Sequence, residues 1–497
     1  MNVVLIYPRI PDTFWSFTHA LKFVNKKASS PPLGLLTVAA LLPPTWNLRL
    51  VDLNVSRLTD HDLTWADFAF VSAMAVQRKS AVEVIARCKA HGVCVVAGGP
   101  LFTTEYEQFE QVDYFVLNEA ELTLPRFLAD LAQGHPQRVY TTDAFADLHQ
   151  TPVPRWELVN LKHYGELSIQ FSRGCPFDCD FCNITALLGR RPRIKTAAQI
   201  IAELEHACRL GYRGSVFIVD DNFIGNKKYL KQELLPALIA WQKKKPGITF
   251  HTEASINLAD DEELMSLMVA AGFDTVFIGI ETPDNESLTE CSKLQNKNRD
   301  LIADIKKIQK AGLQVQGGFI VGFDHDGPNI FQRQIDFIQK SGIATAMVGL
   351  LQAVPGTRLY ERLKGEGRLR GELSGDNVDG TTNVITRMNF DALQAGYRNM
   401  MAYLYAPKNY YCRVKNLLRE YTAPPVNLHL STEHLMAFLR SVVRLGIVGR
   451  ERLQYWKLLL WTMIRRRRSL PLAITLVIYG FHFRKIIRNF TSSDAQP

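Results

Sequence analysis

Short apolar segments alternate with helical patterns along about 360 residues of this 497-residue chain. Parallel strands need a crossover connection, usually a helix, so this alternation predicts α/β domains with parallel sheets. In residues 1–140 it predicts a doubly wound, Rossmann-like domain, which is followed by a linker at 141–164. The predicted strands are Val3–Tyr7, Leu48–Leu53, Phe68–Ser72, Val93–Ala97 and Tyr114–Leu117, and the predicted helices are Leu33–Leu42, Lys79–His91 and Glu121–Ala132.

The alternation resumes in a second array, which spans residues 165–379. Six βα units predict a partial (β/α)6 barrel, in which functional side chains lie at the carboxyl ends of the strands. The predicted strands are Leu167–Phe171, Ser215–Val219, Thr249–Glu253, Thr275–Ile280, Val315–Val321 and Ala346–Leu351. The predicted helices are Ala197–Leu210, Tyr229–Lys244, Asp260–Ala271, Asn298–Ala311 and Ile330–Ser341.

Three cysteines with the spacing C-x3-C-x2-C follow the first strand of the second array, at Cys175, Cys179 and Cys182. Three thiolates in one loop can hold three irons of a 4Fe–4S cluster, which leaves the fourth iron open to a small molecule. A zinc site is the alternative, but no fourth Cys or His follows at zinc-finger spacing. A cluster of this kind needs reducing surroundings, which predicts a cytoplasmic protein. We expect the other cysteines to be ordinary buried thiols: Cys88, Cys94, Cys208, Cys291 and Cys412.

Polar side chains and glycines mark the remaining strand ends of the second array. The second, third and fourth strands end in carboxylates and an amide, which suit a cationic ligand and are costly to bury without a partner. Glycines interrupt the fifth strand, where glycine often marks the close approach of a ligand. The candidate residues are Asp220, Asp221, Asn222, Glu253, Glu281, Gly318, Ile320, Gly322 and Pro355.

The triplet and these strand ends, taken in order, resemble the radical S-adenosylmethionine (SAM) superfamily. The resemblance implies that the free iron chelates SAM, and that a reduced cluster cleaves SAM to methionine and a 5′-deoxyadenosyl radical. It also implies that residues 220–222 hold the SAM amino group, that Glu281 meets the ribose, and that Phe181 lies over the adenine. An electron donor such as flavodoxin or ferredoxin is implied as a partner.

Three loops leave the carboxyl ends of the first sheet, the edge where ligands of doubly wound sheets bind. With the triplet downstream, this third of the chain resembles the cobalamin-binding domain of one radical SAM class. The resemblance implies cobalamin bound by Asp52, Asn54, Ser72, Gly98 and Gly99. Many such domains place a histidine where this chain has Asn54, so we expect cobalamin without a lower histidine ligand.

Residues 380–497 predict a mainly helical C-terminal domain. Arg465–Arg468 precedes an apolar run, Leu470–Phe483, that is too short to span a bilayer. Two alternatives are open: a helix lying in the headgroup layer of a membrane, or a helical pair packed on the barrel. The first has these residues insert: Trp461, Leu470, Leu472, Ile474, Leu476 and Phe481. The formal charge is +9, but basic residues elsewhere are mixed with acidic ones, so no nucleic-acid partner is expected.

Over nearly its whole length the chain resembles the cobalamin-type radical SAM methyltransferases of the hopanoid 2-methylase group, in segments such as Ile169–Cys175 and Val219–Asn226. The resemblance implies methylation of an unactivated carbon in a hydrophobic, lipid-like or polyketide-like substrate, with two SAM molecules per turnover. Peripheral contact with the inner face of the membrane is expected if the apolar C-terminal helix lies in the headgroup layer. A radical cyclase, oxidoreductase or rearrangement enzyme without methyl transfer is the first alternative. A methylthiotransferase, which would need a second cluster, and a non-enzymatic iron–sulfur sensor are the others.

Overall fold

The structure is a computed structural model that describes residues 1–245, 247–423 and 432–491. Residues 424–431 and 492–497 of the predicted helical domain lie outside the described residues. Two six-stranded parallel sheets dominate the fold, and the α/β fold class with a helical C-terminal region is confirmed.

The first sheet has the strand order β2-β1-β3-β4-β5-β6, and all of its strands are parallel. Helices cover both faces, which is why Val3, Val4, Leu5 and Ile6 are all fully buried. The five predicted strands are present, but β6 was missed because two residues carry no periodic signal. The strands are β1 Asn2–Tyr7, β2 Asn47–Asp52, β3 Phe68–Ser72, β4 Cys94–Gly98, β5 Tyr114–Val116 and β6 Val139–Tyr140. The helices are α1 Thr18–Leu21, α2 Leu33–Leu41, α3 Asp60–Trp65, α4 Arg78–Ala90, α5 Pro100–Glu105 and α6 Ala120–Ala132.

The second sheet has the order β14-β13-β12-β11-β10-β7, so each strand pairs with its neighbour in the chain and the sheet stays open between the first and last strands. All six predicted strands are present: β7 Glu166–Ile169, β10 Ser215–Ile218, β11 Thr249–Glu253, β12 Phe273–Glu281, β13 Gln314–Val321 and β14 Ala346–Leu350. A short antiparallel pair, β8 Ser172–Arg173 with β9 Arg193–Ile194, flanks the cysteine loop and was not predicted.

Helices separate the strands of the second sheet, as predicted. Between β10 and β11, a π-helical segment at Leu230–Leu234 precedes Pro236, whose missing N–H interrupts the regular helical hydrogen bonds. The helices are α7 Ile184–Leu188, α8 Ala197–Arg209, α9 Lys227–Tyr229, α10 Leu235–Lys244, α11 Glu262–Ala270, α12 Asn285–Glu290, α13 Leu301–Ala311, α14 Ile330–Ser341 and α15 Arg358–Gly365.

The C-terminal region contains α16 Phe390–Tyr405, α17 Pro407–Glu420, α18 Thr432–Ser441, α19 Arg452–Arg465 and α20 Leu470–Thr491, with a π-helical segment at Val442–Ile447. Helix α20 packs into the body of the protein. The Phe483 ring stacks on Phe14 at 4.0 Å, and Tyr410 donates a hydrogen bond to the carbonyl of Leu476 at 2.6 Å. The segment Arg467–Arg488 is long and apolar enough to cross a membrane, but 56% of its apolar window is buried.

This packing agrees with the second of the two alternatives for the apolar run. Leu476 is fully buried, and the other five residues that the membrane alternative would insert are half-buried against the core. The side chains of the apolar run are therefore packed within the fold. Cys412 is exposed rather than buried, whereas Cys88, Cys208 and Cys291 are buried as expected and Cys94 is half-buried.

Candidate functional site

The cysteine loop begins at the carboxyl end of β7 and is held in place by backbone contacts. The Asp220 carboxylate accepts hydrogen bonds from the backbone N–H groups of Phe171 and Ser172, at 2.8 and 2.7 Å, and from the Ser172 hydroxyl. Gly174 has a φ of +94°, and a Cβ there would lie 2.9 Å from the carbonyl oxygen of Gly189. Only glycine fits this turn, which aims Cys175 away from the strand.

The three cysteines lie close together in a low-dielectric environment. Cys179 is buried, and Cys175 and Cys182 are half-buried. Burial is the main cause that raises the pKa of Cys175 and that raises the pKa of Cys182 to about 12. The neighbouring Cys179 raises both pKa values further. Among the described residues, no group of three or more His, Cys, Asp or Glu side chains is arranged to hold a single metal ion.

A lysine that the sequence reasoning missed faces the cysteines. Lys293 donates to Glu281 at 2.8 Å, and its pKa is raised by Glu281, Cys179 and Cys182 against the opposing effect of burial. The amide nitrogen of Gln295 lies 3.8 Å from the sulfur of Cys179. Both residues lie after α12, in a segment with no sequence pattern that distinguishes them. A cation and an amide donor beside thiolates offset the charge of an anionic cluster.

Carboxylates gather at the ends of β10 and β11. Burial raises the pKa of Asp221 to about 6. Burial, and to a smaller extent the negative charge of Asp221, raises the pKa of Glu253 to about 8. Glu281 occupies a left-handed conformation with φ of +64°, where β12 shifts register against β13. Buried carboxylates without enough cations of their own favour a positively charged ligand.

The predicted residues at the end of β10 separate into two sets. Asp220 is engaged with the start of the cysteine loop, and Asn222 accepts hydrogen bonds from the backbone N–H and hydroxyl of Ser255, each at 3.2 Å. Asp221 alone lines the large cavity described below. Of the three residues, Asp221 is therefore the one placed to meet a ligand.

Phe181, which was expected to lie over the adenine, and the predicted Ile320 of the fifth strand lie beside a smaller apolar cluster. Phe181 and Ile320 pack on the same buried cluster, with the Phe181 ring centroid 6.5 Å from that of Phe323. A Cβ at Gly318 would lie 2.8 Å from the Phe277 ring, so this glycine makes room for an aromatic side chain of the next strand. Gly322 donates to Asp326 at 2.8 Å. Pro355 lies in the turn before α15.

The end of the first sheet is built from backbone and amide groups. The Asn54 amide donates to Asp52 at 2.7 Å and to the Pro8 carbonyl at 3.3 Å, and accepts from the backbone of Ile10 at 2.8 Å. Asp52 is 1% exposed and accepts a hydrogen bond from Tyr164. The two predicted residues thus order the loop, and Asn54 occupies the place of the usual histidine with its amide fully engaged.

The paired glycines at this edge are required by packing. A Cβ at Gly98 would lie 2.6 Å from the carbonyl oxygen of Val116, and one at Gly99, whose φ is +90°, would lie 2.5 Å from the hydroxyl oxygen of Ser72. Strands β3, β4 and β5 can therefore end side by side. This edge carries no side chain larger than that of serine at the three predicted positions, Ser72, Gly98 and Gly99, and all three residues line the cavity.

One cavity of about 2400 Å³ joins the carboxyl ends of the two sheets. Asn54, Ser72, Gly98 and Gly99 line it from the first sheet, and Asp221 and Glu253 line it from the second. Its barrel wall carries the side chains of Phe217, Phe277 and Met347 beside polar ones such as His251 and Gln316, and Trp15 of the N-terminal region lies next to Phe277. The cavity is therefore large enough for more than one cofactor-sized ligand.

A buried ion-pair network that was not predicted ties the cysteine loop to the first sheet. Arg173 contacts Glu119 at 2.9 Å and Glu121 at 2.8 Å, and Arg193 contacts Glu119 at 2.6 Å. Both glutamates follow β5, whereas both arginines belong to the strand pair β8–β9. Pairing across 52 residues or more leaves no local signal in a sequence. The network fixes the spacing between the two edges of the cavity.

Comparisons with known proteins agree with this geometry. Residues 169–338 match the Radical SAM superfamily, and residues 357–496 match a domain of unknown function, DUF4070. An uncharacterized methyltransferase of Synechocystis sp. is 40% identical, with 98% of this chain and 93% of that protein covered. The hopanoid C-2 methylase of Rhodopseudomonas palustris is 35% identical, with 93% and 90% covered.

Solved structures share the fold. The cobalamin-dependent SAM radical enzyme OxsB aligns with a TM-score of 0.65 and 15% identity, covering 99% of this chain and 80% of its own. The radical SAM methyltransferase TsrM of Kitasatospora setae, solved with cobalamin and a 4Fe–4S cluster, aligns with a TM-score of 0.60 and 15% identity, covering 92% and 98%.

The chain belongs to the radical SAM superfamily, within the methyltransferase group that contains these relatives. The predicted family is confirmed, and the protein is a radical SAM enzyme that uses a 4Fe–4S cluster and SAM. A small-molecule substrate and a source of electrons follow from membership of the family.

Proposed function

We propose that this protein is a cobalamin-dependent radical SAM C-methyltransferase that methylates an unactivated carbon of a hydrophobic substrate. The observation that carries the proposal is the cavity that joins Ser72, Gly98 and Gly99 at the end of the first sheet to Asp221 and Glu253 at the end of the second. Such an arrangement can hold two cofactors and a substrate within reach of one another. Relatives that are 40% and 35% identical are named as methyltransferases, which supports the reaction class.

Cys175, Cys179 and Cys182 would hold the cluster, and the carboxylates of Asp221 and Glu253 would face the cationic groups of SAM. When bound, the cluster and SAM supply a 5′-deoxyadenosyl radical that removes hydrogen from carbon, and cobalamin supplies the methyl group. Lys293, which is paired with Glu281 at 2.8 Å, would offset the thiolate charge. Phe181 and Ile320 offer apolar surface to the adenine.

The edge of the first sheet fits a large corrin. Gly98 and Gly99 present backbone without side chains, and Ser72 adds a small hydroxyl, so a flat macrocycle can approach closely. Asn54 offers no free imidazole, and its amide is engaged with Asp52, Pro8 and Ile10. We therefore propose that no histidine from this loop would be the lower ligand of cobalt.

The barrel wall supports a hydrophobic substrate. Phe217 stacks on His251 at 4.6 Å, and Trp15 lies edge-on to Phe277 at 5.6 Å inside the cavity. Aromatic walls exclude water from a radical intermediate and favour an apolar carbon skeleton. The hopanoid C-2 methylase, which is 35% identical over most of both chains, supports a lipid as the substrate.

Anaerobic reconstitution tests the proposal. The protein, loaded with cluster and cobalamin and reduced by flavodoxin or ferredoxin, would be incubated with methyl-labelled SAM and a lipid extract of the producing cell. We expect a labelled lipid heavier by one methylene unit, with 5′-deoxyadenosine and S-adenosylhomocysteine formed in equal amounts. 5′-Deoxyadenosine with an unlabelled, rearranged product would instead identify a radical enzyme without methyl transfer. We place the protein in the cytoplasm, in peripheral contact with the membrane.

A further inference from the structure

The C-terminal region has an apolar face that the fold leaves uncovered. Of the nineteen exposed large apolar side chains among the described residues, eleven lie between residues 435 and 464. Val448 is 76% exposed, Ile464 72% and Leu453 70%. We call these eleven side chains the apolar face. Soluble monomers rarely leave so many large apolar side chains together in water, so the face needs a partner.

The face is continuous across two helices. Leu439 and Val443 lie four residues apart, at the end of α18 and in the π-helical segment, and Leu453, Leu460 and Ile464 follow one stripe of α19. These two parts pack against each other. The indole of Trp456 donates to the carbonyl of Gly446 at 2.9 Å, and the hydroxyl groups of Ser441 and Tyr455 lie 2.9 Å apart. Each helix turns a second, buried stripe inward, with Leu445, Leu458 and Leu459.

The same segment accounts for most of the formal net charge of the chain. Residues 432–468 contain nine Lys and Arg and two Asp and Glu, so their formal charge is 9 − 2 = +7, against +9 for all 497 residues. One of the two acids, Glu451, is paired with Arg484 at 2.6 Å, whereas Arg465, Arg467 and Arg468 are exposed. An apolar stripe bordered by arginines matches the acyl boundary and the headgroups of an anionic bilayer.

The cavity reaches the surface beside this face. Leu435 and Phe438 of α18 and Leu470 and Ile474 of α20 line the cavity, and Leu435 is also 58% exposed. Arg467 and Arg468 lie at the same place and line it as well. An apolar molecule could thus pass from a membrane into the cavity without crossing water.

We propose that the apolar face docks on an anionic membrane surface and brings the mouth of the cavity, at Leu435 and Leu470, against the bilayer. The docking rests on the exposed apolar side chains and the arginines beside them, whereas the use of the mouth for substrate entry rests on the proposed function. This surface differs from the one that the sequence suggested, because α20 is buried and α18 and α19 supply the exposed residues. Shallow insertion of one stripe with arginines at its edge is an interfacial mode of binding, not a transmembrane one.

Co-sedimentation of the full-length protein with vesicles of phosphatidylglycerol and phosphatidylcholine tests the docking. We expect binding to these vesicles, weaker binding to phosphatidylcholine alone, and release at high salt. The variant Leu453→Glu/Ile464→Glu should lower vesicle partitioning by about tenfold or more, because two charges enter the acyl boundary. Its matched control, Val82→Glu/Leu210→Glu, changes side chains that are 49% and 43% exposed outside the face and should bind like the parent.

Each outcome decides the proposal. Equal vesicle binding by the two double variants, or no binding by the parent, overturns it. If the parent forms dimers that Leu453→Glu/Ile464→Glu dissociates, and vesicles are ignored, the face is covered by a second copy and the proposal also fails. Formation of 5′-deoxyadenosine without vesicles is measured in parallel. Loss of docking with this activity intact overturns the membrane surface alone, whereas docking without SAM cleavage overturns the proposed function alone.

Discussion

The two parallel sheets have the same number of strands but opposite chemistry at their carboxyl ends. The first sheet ends in the glycines Gly98 and Gly99, the hydroxyl of Ser72 and the amide of Asn54. The second ends in thiols, the carboxylates of Asp221, Glu253 and Glu281, and the ammonium of Lys293, which approaches from the loop after α12. Equivalent positions thus form a neutral edge and a charged edge. Asp221 and Glu253 of the charged edge line the same cavity as the neutral edge, whereas the cysteines, Glu281 and Lys293 are not among its lining residues.

The difference predicts a different mode of ligand binding at each edge. A neutral edge binds through shape, because glycine backbone admits a broad surface and adds no desolvation cost for charge. A charged edge binds a small ion strongly and also changes the pKa of its own groups. Even Asp52, the carboxylate of the first sheet, follows the rule, because it turns inward to Tyr164 and is 1% exposed.

Removal of one thiol at the charged edge should have the largest effect. Cys179→Ala leaves only two of the three cysteines to hold the cluster, so we expect SAM cleavage to fall below detection. Iron and sulfide content and formation of 5′-deoxyadenosine are the measurements. Cys208→Ala, which also removes a buried thiol but one far from the loop, is the control and should retain the cluster. Full activity of Cys179→Ala would show that the charged edge is not the site of SAM cleavage.

Neutralising a carboxylate at the same edge should weaken SAM binding with the cluster in place. Asp221→Asn keeps the shape of the side chain and removes one negative charge that faces the cavity. We expect SAM affinity to fall by about tenfold to a hundredfold, since a charged hydrogen bond contributes about 1.5–3 kcal/mol. Equilibrium dialysis with labelled SAM measures it. Asp391→Asn, an exposed carboxylate in α16, should leave affinity unchanged.

Filling the neutral edge should act on cobalamin alone. Gly98→Ala places a methyl group 2.6 Å from the carbonyl oxygen of Val116, so β4 and β5 must separate at the edge. We expect the variant to lose cobalamin retention several-fold and to be destabilised by about 1–3 kcal/mol, while iron content stays normal. Gly365→Ala, where a Cβ meets nothing within 4 Å, is the control. If iron is lost together with cobalamin, the two edges are not independent.

The sequence predicted the parts of the fold that depend on local pattern. Strands β1 to β5 and the six barrel strands show continuous apolar runs, and Cys175, Cys179 and Cys182 have a spacing that one loop alone determines. Strand β6 is too short for such a pattern. The apolar run Leu470–Phe483 was ambiguous, because a buried core helix and an interfacial helix share the same composition.

Long-range partners were beyond sequence reasoning. Lys293 reaches Glu281 and the cysteines only because the loop after α12 folds back over β12, and Arg173 meets Glu119 across two domains. Asp220 and Asp221 are adjacent in sequence and equivalent by composition. Which one faces the ligand depends on the backbone of Phe171 and Ser172, which captures Asp220.

The smallest expected effect is a difference in pH dependence between the edges. The pKa of Glu253 is raised from 4.5 to about 8 in the folded protein, mainly by burial, so the folded state binds this proton more tightly than the unfolded chain. The resulting stability is complete below pH 4.5 and is lost as pH rises through about 8. We therefore expect the melting temperature of the cofactor-free protein to fall between those values. Glu253→Gln should remove part of that fall, about 2 °C.

Asp52→Asn is the matched change at the neutral edge. Burial raises the pKa of Asp52, but hydrogen bonds from Asn54 and Tyr164 oppose the shift, so its variant should change the slope less. Melting curves at successive pH values measure both slopes, and a steeper change for Asp52→Asn than for Glu253→Gln would reverse the assignment of the charged edge.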